Sequence, residues 1–264
     1  MKIITLLGLA FASVALAAPN KNTCSGIRYR KEIHDCSADE INRLVNAMLK
    51  LKTKQSKRFP NLNQWDEFAY RHSSFHGVTH GVDVFPVYHR LFMNELELLL
   101  IEIDSTLVFP YWNAPFDAYA PEKSAIWSIV GSSQLEGAGA GCVPNGPFKD
   151  WKCTYPSNTD CIRRGFDPNV AAKWRLWNQE EVANIVNNYS GYNDFRQYIE
   201  LGIHGQIHNI GDYQGTMSHD YSPYDPLFFF VHSYVEFLYV NWQKKHDTGF
   251  NNYPNLSQSI PWYN

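Results

Sequence analysis

Six of the ten histidines fall into two separated triplets, His72, His80 and His89, then His204, His208 and His232. In QYIELGIHGQIHNIG, His204 and His208 stand one helical turn apart, which would set their Cβ atoms about 5–6 Å apart on one face, close enough to share a metal ion. His232 lies in DYSPYDPLFFFVHSYVEFLYVNWQ, where Pro223 and Pro226 precede a helix-length apolar run. An imidazole buried there needs a polar partner or a metal. The first triplet has seven residues between His72 and His80 and eight between His80 and His89. Gly77, Gly81 and Pro86 interrupt it, which predicts a helix, a loop and the start of a second helix converging. Imidazole ligands without thiolate or carboxylate suit copper, zinc, iron or nickel, and Cu(II) has the highest intrinsic affinity among the divalent ions. Two such triplets favour a pair of ions, and at the about 3.5–4 Å of known two-metal sites they would hold dioxygen or a phenolate oxygen between them.

Around these histidines the chain carries further ordered segments. The first triplet reads His72, then His80-Gly81, Phe85 and Tyr88-His89-Arg90, followed by Pro110-Tyr111-Trp112-Asn113-Ala114. Next come Cys142-Val143-Pro144-Asn145-Gly146-Pro147-Phe148 and Cys161-Ile162-Arg163-Arg164-Gly165-Phe166. The second triplet is completed by Ser222-Pro223, Asp225-Pro226, Phe228, His232 and Trp242-Gln243. In this order the segments resemble the type-3 copper proteins of the tyrosinase and catechol oxidase (polyphenol oxidase) family, most of all its short secreted fungal members, over most of the chain after the leader. The resemblance implies a mainly α fold, a four-helix bundle core around a dinuclear copper site with long irregular loops. It also implies two copper ions as cofactor, dioxygen as co-substrate and a small phenol as partner.

The chain departs from the family pattern at three places. Val231 stands where the family usually has a histidine before the last ligand, so only His232 is carried over as a ligand. Val78 stands where many tyrosinases cross-link a cysteine to the second ligand, so no thioether forms there. Asn113 replaces the aspartate of the family's PYWDW. Among the other histidines, His34 and His246 lie in polar surroundings and read as non-ligands. His76 shares the four-residue spacing of His72 and His80, but Phe68 and His80 fix the family register on His72. His76 then lies behind the ligands or faces solvent.

The resemblance also assigns roles beyond the metal. Glu200, one turn before His204, matches the glutamate that orients an active-site water, and is expected to accept or organise a proton. His219, thirteen residues before His232, occupies a gate position over the first copper, where it would hydrogen-bond a phenol rather than act as a seventh ligand. Monophenol hydroxylation in the family often goes with an asparagine after the first ligand of the second motif. Here Gly205 follows His204 and Asn209 follows His208, so both count as substrate-binding positions, and the side-chain-free Gly205 favours diphenol oxidation.

The elements that must position these residues begin with a predicted helix from about Ser37 to Lys54, with Ser37 as N-cap and Glu40 completing a capping box. The Lys50–Arg58 cluster reads as its solvated end. A Gly-, Pro- and Cys-rich excursion from about Pro115 to Pro168 separates the two copper motifs, and helix is expected again from about Trp174. MKIITLLGLAFASVALA has the form of a secretory signal cleaved after Ala17, leaving 18–264 as a single catalytic domain and placing the protein outside the cell. The 32 residues after His232 are too few for the C-terminal covering domain of many fungal tyrosinases, so no latent form of that kind is expected.

Five cysteines in an exported chain are expected to form disulfides. Cys24 with Cys36 would staple the N-terminal segment. Two of Cys142, Cys153 and Cys161 would close the long connection, and spacing leaves the choice open. Asn188-Tyr189-Ser190 and Asn255-Leu256-Ser257 are glycosylation sequons. A net charge of −3 without a basic stripe excludes the footprint of a nucleic-acid binder, and no segment after the leader is long and apolar enough to span a bilayer. Two other classes share such a centre: haemocyanin-like dioxygen carriers, usually larger chains, and a zinc-filled relative without redox function.

Overall fold

The computed structural model describes residues 27–132, 141–155, 160–165, 175–210, 215–246 and residue 260. Cys24, the leader, Trp174 and Asn255 lie outside the described residues. Helix α1 spans Ala38–Thr53 and opens with the expected capping box, in which the Ser37 side chain accepts from the Glu40 N–H while the Glu40 carboxylate accepts from the Ser37 N–H. Leu44, Val45, Met48 and Leu51 recur at helical spacing and are buried. Helices α2 (Asp66–Thr79) and α3 (Phe85–Ile101) follow.

The break between α2 and α3 falls later than expected. Gly77 lies inside α2, where a Cβ would meet open space, and a helix tolerates such a glycine at a cost of about 1 kcal/mol. Gly81, at φ 71°, makes the turn instead, a conformation that costs glycine nothing. Pro86 then falls in the first turn of α3, where its missing N–H leaves no helical bond unmade.

The excursion between the copper motifs contains the short helix α4 (Ile126–Val130) and two antiparallel two-residue strands, β1 (Gly141–Cys142) and β2 (Arg163–Arg164). Cys142 and Cys161 are joined by a disulfide. Cys36 carries a free thiol rather than the bridge expected with Cys24, which lies outside the described residues, and Cys153 is free as well. Arg164 anchors this region through a buried ion pair with Asp225 and a bond from its guanidinium to the Val130 carbonyl at 3.1 Å.

Residues 175–178 are not helical. Helix α5 starts at Gln179 and runs to Asn188, because Asn178 and Glu181 form a second capping box there. Helix α6 (Tyr192–Gln197) passes into a π-helical segment, Tyr198–His204, and then into α7 (Gly205–His208). The last helix, α8 (Leu227–Lys245), is buried without interruption from Leu227 to Val235. Its start is fixed by the Asp225 carboxylate, which accepts the Leu227 N–H at 2.9 Å. Helix α3 packs along α8, α1 on α3 and α5 on α8, so the ligand-bearing segments form one mainly helical core.

The Lys50–Arg58 cluster is not simply a solvated helix end. Lys52 is largely buried against Asp66, and Arg58 bridges Glu67 and Glu95. The carboxylates of α2 and α3 pair with these cations, burying Lys52 while Arg58 stays exposed. Among the described residues no helix is long and apolar enough to cross a membrane.

Candidate metal centre

His72 lies in α2, His80 caps its C-terminus and His89 sits one turn into α3. His204 ends the π segment, His208 ends α7 and His232 lies in α8. Within each triplet, one nitrogen from each ring lies within 4.8 Å of the others. The His204 and His208 ring centroids are 4.3 Å apart. The two triplets also face each other, since His89 stacks on His232 at 4.2 Å with 15° between the rings and His80 lies 6.2 Å from His204.

Backbone carbonyls orient five of the six rings. The Nδ1–H of His89 donates to Phe85 at 2.8 Å, that of His204 to Glu200 at 2.9 Å and that of His80 to His76 at 3.3 Å, each four residues earlier in the chain. His72 and His208 use carbonyls brought from elsewhere, Asp220 and Met217, the latter at 2.6 Å. A carbonyl only accepts, so the proton sits on Nδ1 and the Nε2 lone pair is left free for a metal.

The donor atoms themselves test whether a cation fits. The Nε2 atoms of His204, His208 and His232 are buried without a hydrogen-bond partner, as is His232 Nδ1. Leaving such groups unmatched costs about 1–3 kcal/mol each. The Nε2 atoms of His72 and His89 approach to 3.4 Å, which sets two lone pairs against each other unless a cation lies nearby. Burial is the main cause holding every ligand ring neutral, lowering His89 to about 3 and His208 to about 4 and keeping His72, His80, His204 and His232 below the ordinary histidine range. Two triplets of neutral, all-nitrogen donors fit a dinuclear copper site.

His72, His80, His204 and His208 open into a cavity of about 680 Å³ that Glu200, Gly205, Asn209 and His219 also line, with His89 and His232 behind them. This lies within the range of about 300–1,000 Å³ typical of small-molecule sites. Glu200 is buried; its Oε1 accepts the Gly81 N–H at 2.6 Å and its Oε2 accepts from Arg196 at 2.7 Å. Burial raises its carboxyl above the ordinary range against the opposing effect of those two bonds. A Cβ on Gly205 would come within 3.3 Å of the Glu200 carbonyl. Asn209 turns its amide back to donate to the Gly205 carbonyl at 2.8 Å. His219 is exposed at the rim and stacks on Tyr221 at 4.9 Å. His76 also lines the cavity and stacks on His80 at 4.1 Å.

Val78 is exposed, and His34 and His246 bond to Glu32 and Val186 away from the cavity. Asn113 donates its backbone N–H to Glu32 at 3.0 Å and its side-chain oxygen is buried without a partner. Sequence reasoning did not single out five contributors to the site. Phe228 lies 4.0 Å from His232 and 5.0 Å from His72, and Phe85 lies 4.7 Å from His89 and 4.9 Å from His204. Both stood in the motifs without a role. Arg196, one turn before Glu200, was findable as an i,i+4 ion pair. The Asp220 and Met217 carbonyls carry no residue-type signal at all.

The family model for the common central domain of tyrosinase matches residues 62–245. A tyrosinase of Streptomyces antibioticus is 27% identical over 88% of this chain and 92% of its own length. A tyrosinase-like protein of Caenorhabditis elegans is 26% identical over 83% of the chain, which spans only 31% of that protein. Among solved structures, a polyphenol oxidase of Thermothelomyces thermophila, in a mutant form, superposes with a TM-score of 0.70 at 21% identity, covering 88% of this chain and 74% of its own. An octopus haemocyanin unit gives 0.58 at 22% identity, covering 83% and 54%. At these identities the structures establish a shared fold.

Proposed function

The chain belongs to the tyrosinase family, and from that premise we propose that it oxidises o-diphenols to o-quinones while dioxygen is reduced to water. The observation that carries the reading is the facing pair of histidine triplets, with buried, unmatched Nε2 atoms on His204, His208 and His232, beside a cavity large enough for a phenol that His72, His80, His204 and His208 line. His72, His80 and His89 would hold one copper and His204, His208 and His232 the other. Copper in those positions supplies the electron exchange between dioxygen and the diphenol.

The remaining work falls to the chain. The carbonyls behind five of the imidazoles keep their Nδ1 protonated, so those rings neither rotate nor take up the phenol's protons. Phe85 and Phe228 wall the rings and exclude water from the ligand nitrogens. Each diphenol loses two protons on becoming a quinone, and Glu200 is the buried carboxylate on the cavity wall that can receive or relay them. Gly81 and Arg196 hold its two oxygens in place. Gly205 leaves the wall beside His204 without a side chain, which supports diphenol oxidation over monophenol hydroxylation.

Export is part of the proposal, supported by the leader-like residues 1–17 and by a disulfide that suits an oxidising compartment. N-terminal sequencing of protein recovered from medium tests it; a chain still beginning at Met1 would count against it. A dioxygen-carrier reading draws on the haemocyanin likeness, but a cavity opening past the exposed His219 favours access for phenols. Oxygen uptake by protein of known copper content, given a monophenol and the matching o-diphenol, decides among the readings. Uptake with the diphenol alone supports a catechol oxidase. Comparable uptake with both makes it a tyrosinase, and reversible dioxygen binding without turnover makes it a carrier.

A further inference from the structure

The rim of the cavity carries a charge that the oxidation chemistry does not use. Asp220 is exposed beside His219 and lines the same cavity as the ligands. Its place is fixed twice, since its backbone carbonyl accepts from His72 and its Oδ2 accepts from the Ser73 hydroxyl at 2.9 Å. Among the described residues, no lysine or arginine lines the cavity. The other carboxylate there, Glu200, is already engaged by Arg196 and the Gly81 N–H. Asp220 has no comparable cation among the described residues.

We propose that Asp220 sets the charge preference of the site, favouring phenols whose side chain ends in an ammonium group over those ending in a carboxylate. The proposal rests on the phenol-oxidase reading above. A ring whose hydroxyls meet the histidines directs its para substituent away from them, toward the lip where Asp220 stands. Attraction for an ammonium group and repulsion of a carboxylate then act on the same ratio, through a partly solvated boundary where charges still interact over several ångströms. Because the boundary is wet, added salt weakens the effect, the screening length being about 8 Å at physiological ionic strength.

The test compares copper-loaded wild type, Asp220→Asn and Asp220→Glu on three catechols: 3,4-dihydroxyphenethylamine, 4-methylcatechol and 3-(3,4-dihydroxyphenyl)propionate. The kcat/KM values are normalised to 4-methylcatechol for each variant. The amine-to-acid ratio is expected to fall about tenfold in Asp220→Asn, equivalent to ~1.4 kcal/mol, to persist in Asp220→Glu and to shrink with salt. A second readout needs no turnover: calorimetric titration of phenethylamine and 3-phenylpropionate, which carry the charges without oxidisable hydroxyls. Preference for the amine in wild type, lost in Asp220→Asn, supports the proposal. Equal ratios and equal binding in wild type and Asp220→Asn overturn it, even where 4-methylcatechol is oxidised. Protein that oxidises no catechol but still binds the amine preferentially would overturn the oxidase reading and leave the charge preference standing.

Discussion

The two histidine triplets use the same ligands but are built on unequal supports. His72, His80 and His89 stand on α2, its C-cap and α3, helices of 14 and 17 residues. His204 and His208 stand on a π segment running into a four-residue helix, with non-helical backbone at Gly202. His232 stands on a largely buried helix, yet neither of its nitrogens has a partner. The first centre is therefore held mainly by its scaffold, whereas the second depends more on the metal to complete its polar contacts. Both nevertheless share one device, an imported carbonyl for one ring each.

The largest expected effect treats both centres alike. Replacing either His89 or His208 by alanine is expected to reduce bound copper from about two to about one per chain and to abolish diphenol oxidation. Metal analysis beside oxygen uptake checks this, and full activity with one copper would remove the reason for two triplets. Next in size, Glu200→Gln should lower kcat by about 10²-fold, the low end for loss of a general base, with copper content maintained. A change confined to copper content would make Glu200 a purely structural tie between the π segment and Gly81.

Gly202 sharpens the contrast between the supports. A Cβ there would fall 2.2 Å from the Trp177 ring, so Gly202→Ala is expected to cost about 1–3 kcal/mol through overpacking. It should release copper from the second centre before the first, which thermal melts combined with stepwise chelation would reveal. Equal loss from both would show the supports to be equivalent.

The smallest effect concerns the capping boxes of α1, which packs on α3, and α5, which packs on α8. Ser37→Ala and Asn178→Ala should each cost about 1 kcal/mol. The Glu40 and Glu181 carboxyls are lowered from an ordinary 4.5 to about 2, chiefly by hydrogen bonds from Lys31 and Arg175. Their contribution is present above about pH 4.5 and is lost as pH falls through about 2. Melting temperatures between pH 5 and 2 should therefore fall less steeply for Glu181→Gln than for the parent. Parallel slopes would rule out the box as a source of acid sensitivity.

The two histidine clusters were legible in sequence because metal binding demands a residue type at a spacing. The Ser37 and Glu40 box was legible for the same reason. Gly77 misleads because glycine permits a break without requiring one, and of Gly77 and Gly81 only Gly81 takes positive φ. From sequence Lys52 reads as solvated, because its partner Asp66 lies fourteen residues away and nothing in composition announces the pair. The Cys142–Cys161 bridge was undecidable among three cysteines until β1 and β2 paired. Least legible were the carbonyls of Met217 and Asp220, since every residue has one.

Those two carbonyls lie within one four-residue strap that reaches one imidazole in each triplet, while its His219 and Asp220 side chains form the lip of the cavity. The strap thus acts as a common yoke. Exchanging it to change which phenol enters would also re-aim a ligand at both centres, so in this architecture taste and grip are inherited together.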